Sequence, residues 1–177
     1  MKPVRDMKKE ILKQIEENPK KPLLILAREL GIPEKSILEV QPAEQVSWAD
    51  PEDFERIMEH VSSWGPVTII CQNDSVVLEV KAHLPSGSHG HGYFNLFSKE
   101  SPAGGHIKSS HLGAICFVER PFMGIPSLSI QFFDLFGNSM FKIYVARDEK
   151  RQLVPEQVER FYMLRRNITL RGRHNHE

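Results

Sequence analysis

The apolar positions of the first 45 residues recur with the period of a helix. Residues 6–18 form the first predicted helix, which an Asn-Pro pair ends. Residues 22–30 form the second, with an apolar stripe and with Gly31 where a helix C-terminus favours glycine. A third short helix is predicted to begin near Pro33. The pattern therefore predicts an N-terminal helical subdomain over residues 1–45.

Residues 50–65 have the clearest helical pattern of the chain. Asp50 is suited to cap the exposed N–H groups, and Pro51 suits the first turn. The Gly-Pro pair at 65–66 ends the run. The apolar residues at helical spacing predict a face buried in the core: Phe54, Ile57, Met58, Val61 and Trp64.

The hydrophobic period then changes to two, which is typical of strands. A last helix is predicted over residues 155–167, with Val158, Phe161, Tyr162 and Leu164 on its buried side. The strands in between are joined by short turns, which favours antiparallel pairing between neighbours. They are predicted at residues 67–72, 75–82, 93–97, 106–109, 114–119, 127–135 and 139–147.

These elements predict an α+β fold, in which a large antiparallel meandering β-sheet is flanked by N-terminal and C-terminal helices. We assign this α+β domain to residues 46–170 and predict a flexible tail over residues 171–177. The start of the third helix offers Glu34, Lys35 and Ser36, a poor set of base readers for a helix-turn-helix unit. Nucleic acid is therefore an unfavoured partner.

Composition narrows the class of protein. Lys+Arg and Asp+Glu both number 23, so no net charge points to nucleic acid or anionic lipid. Cys71 and Cys116 both lie in apolar runs, which predicts two buried, reduced and inert thiols. The charged N-terminus lacks a secretory stretch, and no apolar run is long enough for a membrane span. A cytoplasmic protein is predicted.

Known catalytic motifs are missing from the sequence. There is no G-x-S-x-G, P-loop, H-E-x-x-H or G-x-G-x-x-G pattern. Neighbouring carboxylates such as Glu52 and Asp53 are better explained as a helix start. We therefore predict a protein that is not an enzyme and assign no catalytic residue.

Histidines cluster between residues 84 and 110, among the turn formers glycine and proline. His89 and His91 form an H-x-H pair, as in the metal motif of cupin barrels, but Asn95 and Leu96 stand where that motif needs a glutamate. We therefore favour loop histidines that make at most occasional ligand contacts. A divalent-metal site is the alternative.

Haem is a second candidate ligand for this segment. Iron needs one or two imidazoles, and the porphyrin needs apolar surface with cations for its propionates. In a strand, His106 and Lys108 would point to the same side. Phe122 and Met123 offer apolar surface on a loop; guanidinium groups near strand ends come from Arg120 and Arg147.

A set of ordered motifs resembles the ChuX/HutX family of haem-utilisation carriers. They are WGPVT at 64–68, LPSG at 84–87, HGYFNL at 91–96, GHIK at 105–108, RPFMG at 120–124, FKIYVARDEKRQL at 141–153 and PEQVERF at 155–161. The resemblance implies a homodimeric intracellular protein that binds haem and passes it to an acceptor such as a haem-degrading enzyme. It also implies a fold similar to one half of the ChuS/HemS-type haem-degrading proteins, so that residues 46–170 would be the haem-carrier domain.

The resemblance assigns site residues as well. The GHIK histidine, a proposed haem contact of the family, is His106, which would ligate the haem iron. A second proposed histidine corresponds to Gln72, so that either His89 or His91 takes its place or a single histidine ligates with water. By position, Arg147 would hold a propionate. Two other classes stay open: a tetrapyrrole-modifying or haem-degrading enzyme, and a haem-responsive DNA-binding regulator.

Overall fold

The computed structural model describes residues 4–174, and the side chains of residues 6–168. Its α-helices are α1 (Val4–Glu17), α2 (Leu23–Leu30), α3 (Glu34–Leu38), α4 (Phe54–Ser62) and α5 (Pro155–His174). Its strands are β1 (Val46–Ala49), β2 (Pro66–Gln72), β3 (Val77–His83), β4 (Gly87–Gly90), β5 (Tyr93–Leu96), β6 (Gly105–Ile107), β7 (Leu112–Glu119), β8 (Leu128–Asp134) and β9 (Ser139–Tyr144).

The strands form two antiparallel sheets. The large sheet has six strands in the order β1-β7-β8-β9-β2-β3, and the small sheet has the order β4-β5-β6. The predicted α+β fold with helices at both ends is confirmed. The strands were expected in one sheet; instead, the chain leaves β3, builds the small sheet, and returns to the large sheet at β7.

The main core lies between one face of the large sheet and the elements that cover it: α4, α5 and the small sheet. Phe54 of α4 makes edge-to-face contacts with Phe94 of the small sheet at 5.1 Å and with Phe132 of the large sheet at 5.9 Å. Phe161 of α5 contacts Phe117 at 5.5 Å. Such aromatic pairs add to the burial of apolar area, so this core fixes the small sheet against the large one.

The opposite face of the large sheet carries the N-terminal helices. Leu38 of α3 packs in a buried cluster with Cys116 and Phe133. Beside it, Lys142 Nζ of β9 lies 2.6 Å from Glu34 Oε1, and both side chains are only 5% exposed. Glu34 is the first residue of α3. In a helix-turn-helix protein, the N-terminal end of the recognition helix contacts DNA. The burial of Glu34 against the sheet argues against DNA recognition by this helix.

Several details differ from the predicted elements. The cap at Asp50 is confirmed, since its Oδ1 accepts from the N–H of Glu52 at 2.9 Å, but a 3-10 turn at Pro51–Asp53 precedes α4. Helix α5 continues beyond residue 167 to His174. Residues 175–177 of the predicted tail lie outside the described residues.

Two burial predictions are wrong. Cys71 is exposed because it lies near the tip of the β2–β3 hairpin, opposite Leu78, which is itself 58% exposed. Tyr162 is 41% exposed, and its hydroxyl donates to Glu119 Oε1 at 2.7 Å. Cys116 is buried as predicted, and burial raises the pKa of its thiol well above the usual range.

A histidine at the C-terminal end of α4 is expected to make the free energy of unfolding depend on pH. Trp64 Nε1 donates to His60 Nδ1 at 2.8 Å, a bond that needs an unprotonated Nδ1. Burial first, then Arg160 and Arg56, lower the pKa of His60 from 6.5. Because the folded pKa is lowered, the unfolded chain takes up this proton first, and the stabilisation is lost as pH falls from 6.5 toward the folded pKa. Urea unfolding should show a smaller loss of stability over this interval for His60→Gln than for the wild type. Equal losses would contradict the assignment.

Candidate functional site

The small sheet is a hairpin, β4–β5, extended by β6. In the register, Gly90 pairs with Tyr93, so His91 and Gly92 form a two-residue turn. Both have positive φ, 53° and 80°, as a type I′ turn requires. His89 is therefore in a strand rather than in the predicted loop, whereas His91 is in a turn as predicted.

The two faces of the small sheet differ in character. Phe94, Leu96 and Ile107 face the core. His89 pairs with Phe94 and shares its face, where His89 Nε2 lies 2.7 Å from Glu55 Oε1 of α4. His106 pairs with Asn95 and lies on the other face, toward solvent. His89 and His106 are therefore on opposite faces of one sheet and do not form a pair of ligands.

His106 is the centre of the exposed face. Its Nδ1 lies 2.6 Å from Asn95 Oδ1. Two rings meet its imidazole edge-to-face, Tyr93 at 6.0 Å and Phe97 at 5.5 Å. These rings are 40% and 68% exposed, so together they present apolar surface to solvent. In the part of the chain described by the structure, nothing forms a hydrogen bond with Nε2 of His106, so this nitrogen is open to a ligand.

The other predicted site residues lie apart from this face. Gln72 ends β2 of the large sheet and lines a groove of about 560 Å³ between α2 and the turns of the large sheet. Arg147 donates through Nη1 to the carbonyl of Arg151 at 3.0 Å and through Nη2 to the carbonyl of Pro126. Its guanidinium is thus used to tie two loops together.

Lys108 does not lie in the strand that carries His106, contrary to the prediction that both side chains point to the same side of one strand. Strand β6 ends at Ile107, and Lys108 is the N-cap residue of the 3-10 turn Ser109–His111. The expected alternation from His106 to Lys108 along a strand is therefore interrupted. Lys108 is exposed, so its cation lies at the surface close in sequence to His106.

Among residues 6–168, whose side chains the structure describes, no three His, Cys, Asp or Glu side chains are grouped in a way that would hold a metal ion. The H-x-H pair therefore has no further ligands within these residues. None of the described helices combines the length and apolar character needed to cross a bilayer.

Sequence reasoning missed three members of the exposed face: Tyr93, Asn95 and Phe97. Their alternation in YFNLF was visible, and it places all three on one side of a strand. What the sequence did not show is the register, which pairs Asn95 with His106.

The chain is similar in sequence and in structure to known proteins of one family. A model described as haem utilisation ChuX/HutX matches residues 47–164. The intracellular heme transport protein HutX of Vibrio cholerae is 36% identical over 160 residues, which cover 90% of this chain and 83% of that protein. The solved structure of the heme binding protein ChuX is 33% identical, with a TM-score of 0.80, over 89% of this chain and 97% of that one.

A more distant structure extends the fold comparison. ChuS, an Escherichia coli heme oxygenase, has a TM-score of 0.71 at 12% identity. The match covers 85% of this chain and 47% of that protein. The fold therefore corresponds to about one half of that larger protein, as predicted.

Proposed function

Because the chain belongs to the ChuX/HutX haem-utilisation family, we propose that it binds haem in the cytoplasm and carries it to an acceptor such as a haem-degrading enzyme. The names of two relatives, an intracellular heme transport protein and a heme binding protein, support this class of ligand. The observation that carries the proposal is the exposed imidazole of His106 between two exposed aromatic rings. That arrangement combines an iron ligand with apolar surface for a porphyrin.

In this proposal His106 is the one protein ligand of the iron, through Nε2. Tyr93 and Phe97 supply apolar surface, and Lys108 is the nearest cation in sequence for a propionate. Gln72 and Arg147 are not assigned a contact, because one lies on the other sheet and the other binds loop carbonyls. A carrier has to release its cargo, and ligation by a single side chain suits that task.

A haemin titration of the purified chain tests the proposal. We expect a saturable Soret shift with one haem per chain. Carriage also predicts that the Soret band persists when a reductant is added under air, because a carrier holds haem without converting it. The absence of a saturable shift would overturn haem binding, and steady loss of the band with formation of a product would overturn carriage in favour of an enzyme.

We also propose that the chain forms a homodimer through β3. This strand is at the edge of the large sheet, and its residues Val77 and Leu78 are 59% and 58% exposed. Exposed apolar edge strands favour pairing with another chain. Sedimentation should give twice the chain mass of 20.3 kDa, and Leu78→Lys should shift the protein toward the monomer. The matched change Leu135→Lys, at a residue 65% exposed in the β8–β9 turn, should not. A wild type that sediments as a monomer at micromolar concentration would refute the dimer.

A further inference from the structure

The side chain of Asn95, a residue of β5, lies between His106 of β6 and the backbone of the β4–β5 hairpin. Its Nδ2 is 3.2 Å from the carbonyl oxygen of Ser88, 3.1 Å from that of Gly90 and 3.3 Å from that of Tyr93. All three oxygens can only accept, so the side chain must turn its NH₂ group toward them. The reversed carboxamide would place its own oxygen against three acceptors. The orientation of Asn95 is therefore fixed by the backbone of β4 and β5.

This orientation determines where His106 carries its proton. The Oδ1 atom of Asn95, which faces His106 Nδ1 at 2.6 Å, can only accept a hydrogen bond. His106 Nδ1 must therefore be the donor. Because a neutral imidazole has one N–H, its lone pair is then on Nε2, the nitrogen that is open on the exposed face.

We propose that Asn95 is a positioning residue that holds His106 in the Nδ1–H tautomer and so presents Nε2 to the iron of haem. This inference rests on the proposed function for the identity of the ligand, whereas the tautomer is a property of the haem-free chain. Metal-ligating histidines generally donate their second N–H to a fixed partner, and loss of that partner typically lowers metal affinity by about 10–100-fold.

The chemistry of the partner also suits release. A carboxylate at this position would make the imidazole more basic and strengthen its bond to iron. It would also be repelled by the three carbonyl oxygens that surround the position. A neutral carboxamide can donate to the carbonyl oxygens and accept from His106 Nδ1. It orients the imidazole without placing a negative charge next to Nδ1.

Nitrogen-15 NMR of the full haem-free chain tests the tautomer directly. In the wild type at a pH where His106 is neutral, we expect Nδ1 of His106 to be protonated and Nε2 to be unprotonated. In Asn95→Ala the proton should move largely to Nε2, the position that free imidazoles favour in water. Asn95→Thr is a second variant that keeps strand propensity while it removes the carboxamide. The matched control is Asn73→Ala, because Asn73 lies in the turn of the β2–β3 hairpin, where its Oδ1 accepts from the N–H groups of Ser75 and Val76.

Haem dissociation is the second readout. Both Asn95 variants should release haem about 10–100-fold faster than the wild type, and Asn73→Ala should release it at the wild-type rate. A wild-type His106 protonated at Nε2, or Asn95 variants with unchanged release, would overturn the inference while leaving haem binding intact. If instead His106→Ala binds haem as the wild type does, ligation by His106 fails, and the iron-directed role of Asn95 fails with it.

Discussion

Replacement of His106 by alanine is expected to lower haem affinity by about 100-fold or more. His106 Nε2 is the nitrogen that the exposed face of the small sheet leaves open, and a change in the outer shell of a metal site alone costs about 10–100-fold. The absorption spectrum should change as well, because the iron would lose its imidazole. Haemin titration followed at the Soret band measures both effects. Residual weak binding is expected, since the apolar surface of Tyr93 and Phe97 stays.

His89→Ala is the matched control for this experiment. His89 lies on the same small sheet, but on the face that meets α4, where its Nε2 is hydrogen-bonded to the carboxylate of Glu55. Its removal should leave haem affinity and spectrum within about twofold of the wild type, as expected for a residue that does not touch the ligand. If His89→Ala weakened haem binding as much as His106→Ala, the two faces would have been assigned the wrong roles.

Removal of Lys142 should have the largest effect on stability. Lys142→Ala leaves the Glu34 carboxylate buried without a partner, and Glu34 Oε2 already lacks a hydrogen bond among the described residues. Breaking a buried ion pair in this way typically costs about 3–5 kcal/mol. That is a large part of the roughly 5–15 kcal/mol by which domains are stable. Urea unfolding, with the midpoint and slope compared to the wild type, measures the loss.

Two further variants show whether the loss comes from the unpaired charge. Glu34→Gln combined with Lys142→Met removes both charges and keeps the volume, so it should be clearly more stable than Lys142→Ala. Lys13→Ala breaks an exposed pair with Glu17 at 3.8 Å and should cost only about 0.3–0.5 kcal/mol. A Lys142→Ala variant no less stable than Lys13→Ala would show that the buried pair contributes little.

The long periodic segments were predictable because their patterns are local. Helix α4 and its buried face follow from apolar spacing, a cap and a terminating glycine, all of which lie within residues 50–65. Strand β1 was missed because its four residues are too few to establish a period. Strand β4 was missed because Gly87 to Gly90 have low strand propensity. It is a strand because β5 pairs with it, and a Cβ at Gly87 would lie 2.0 Å from the ring of Phe94.

The site was predictable only in part, for a similar reason. His106 was proposed as a site residue from its motif, but its surroundings depend on the register between β5 and β6, which are separated by a loop. The prediction that His89 and His91 lie together on loops was wrong for His89, since hairpin pairing turns it toward α4. Cys71 was placed in the core because its neighbours are apolar, but the register pairs it with Leu78, and both side chains are exposed.

The insertion of the small sheet between β3 and β7 has a consequence during synthesis on the ribosome. His106 is synthesised before β7, β8 and β9. Yet the inner face of the small sheet packs in the same core as Phe132 of β8. In the large sheet, β2 also needs β9 as one of its two neighbours. We therefore expect the exposed face to be ordered only after the last strand has emerged. Nascent chains would then present no finished site for the proposed ligand, so we expect haem to bind only to the completed fold.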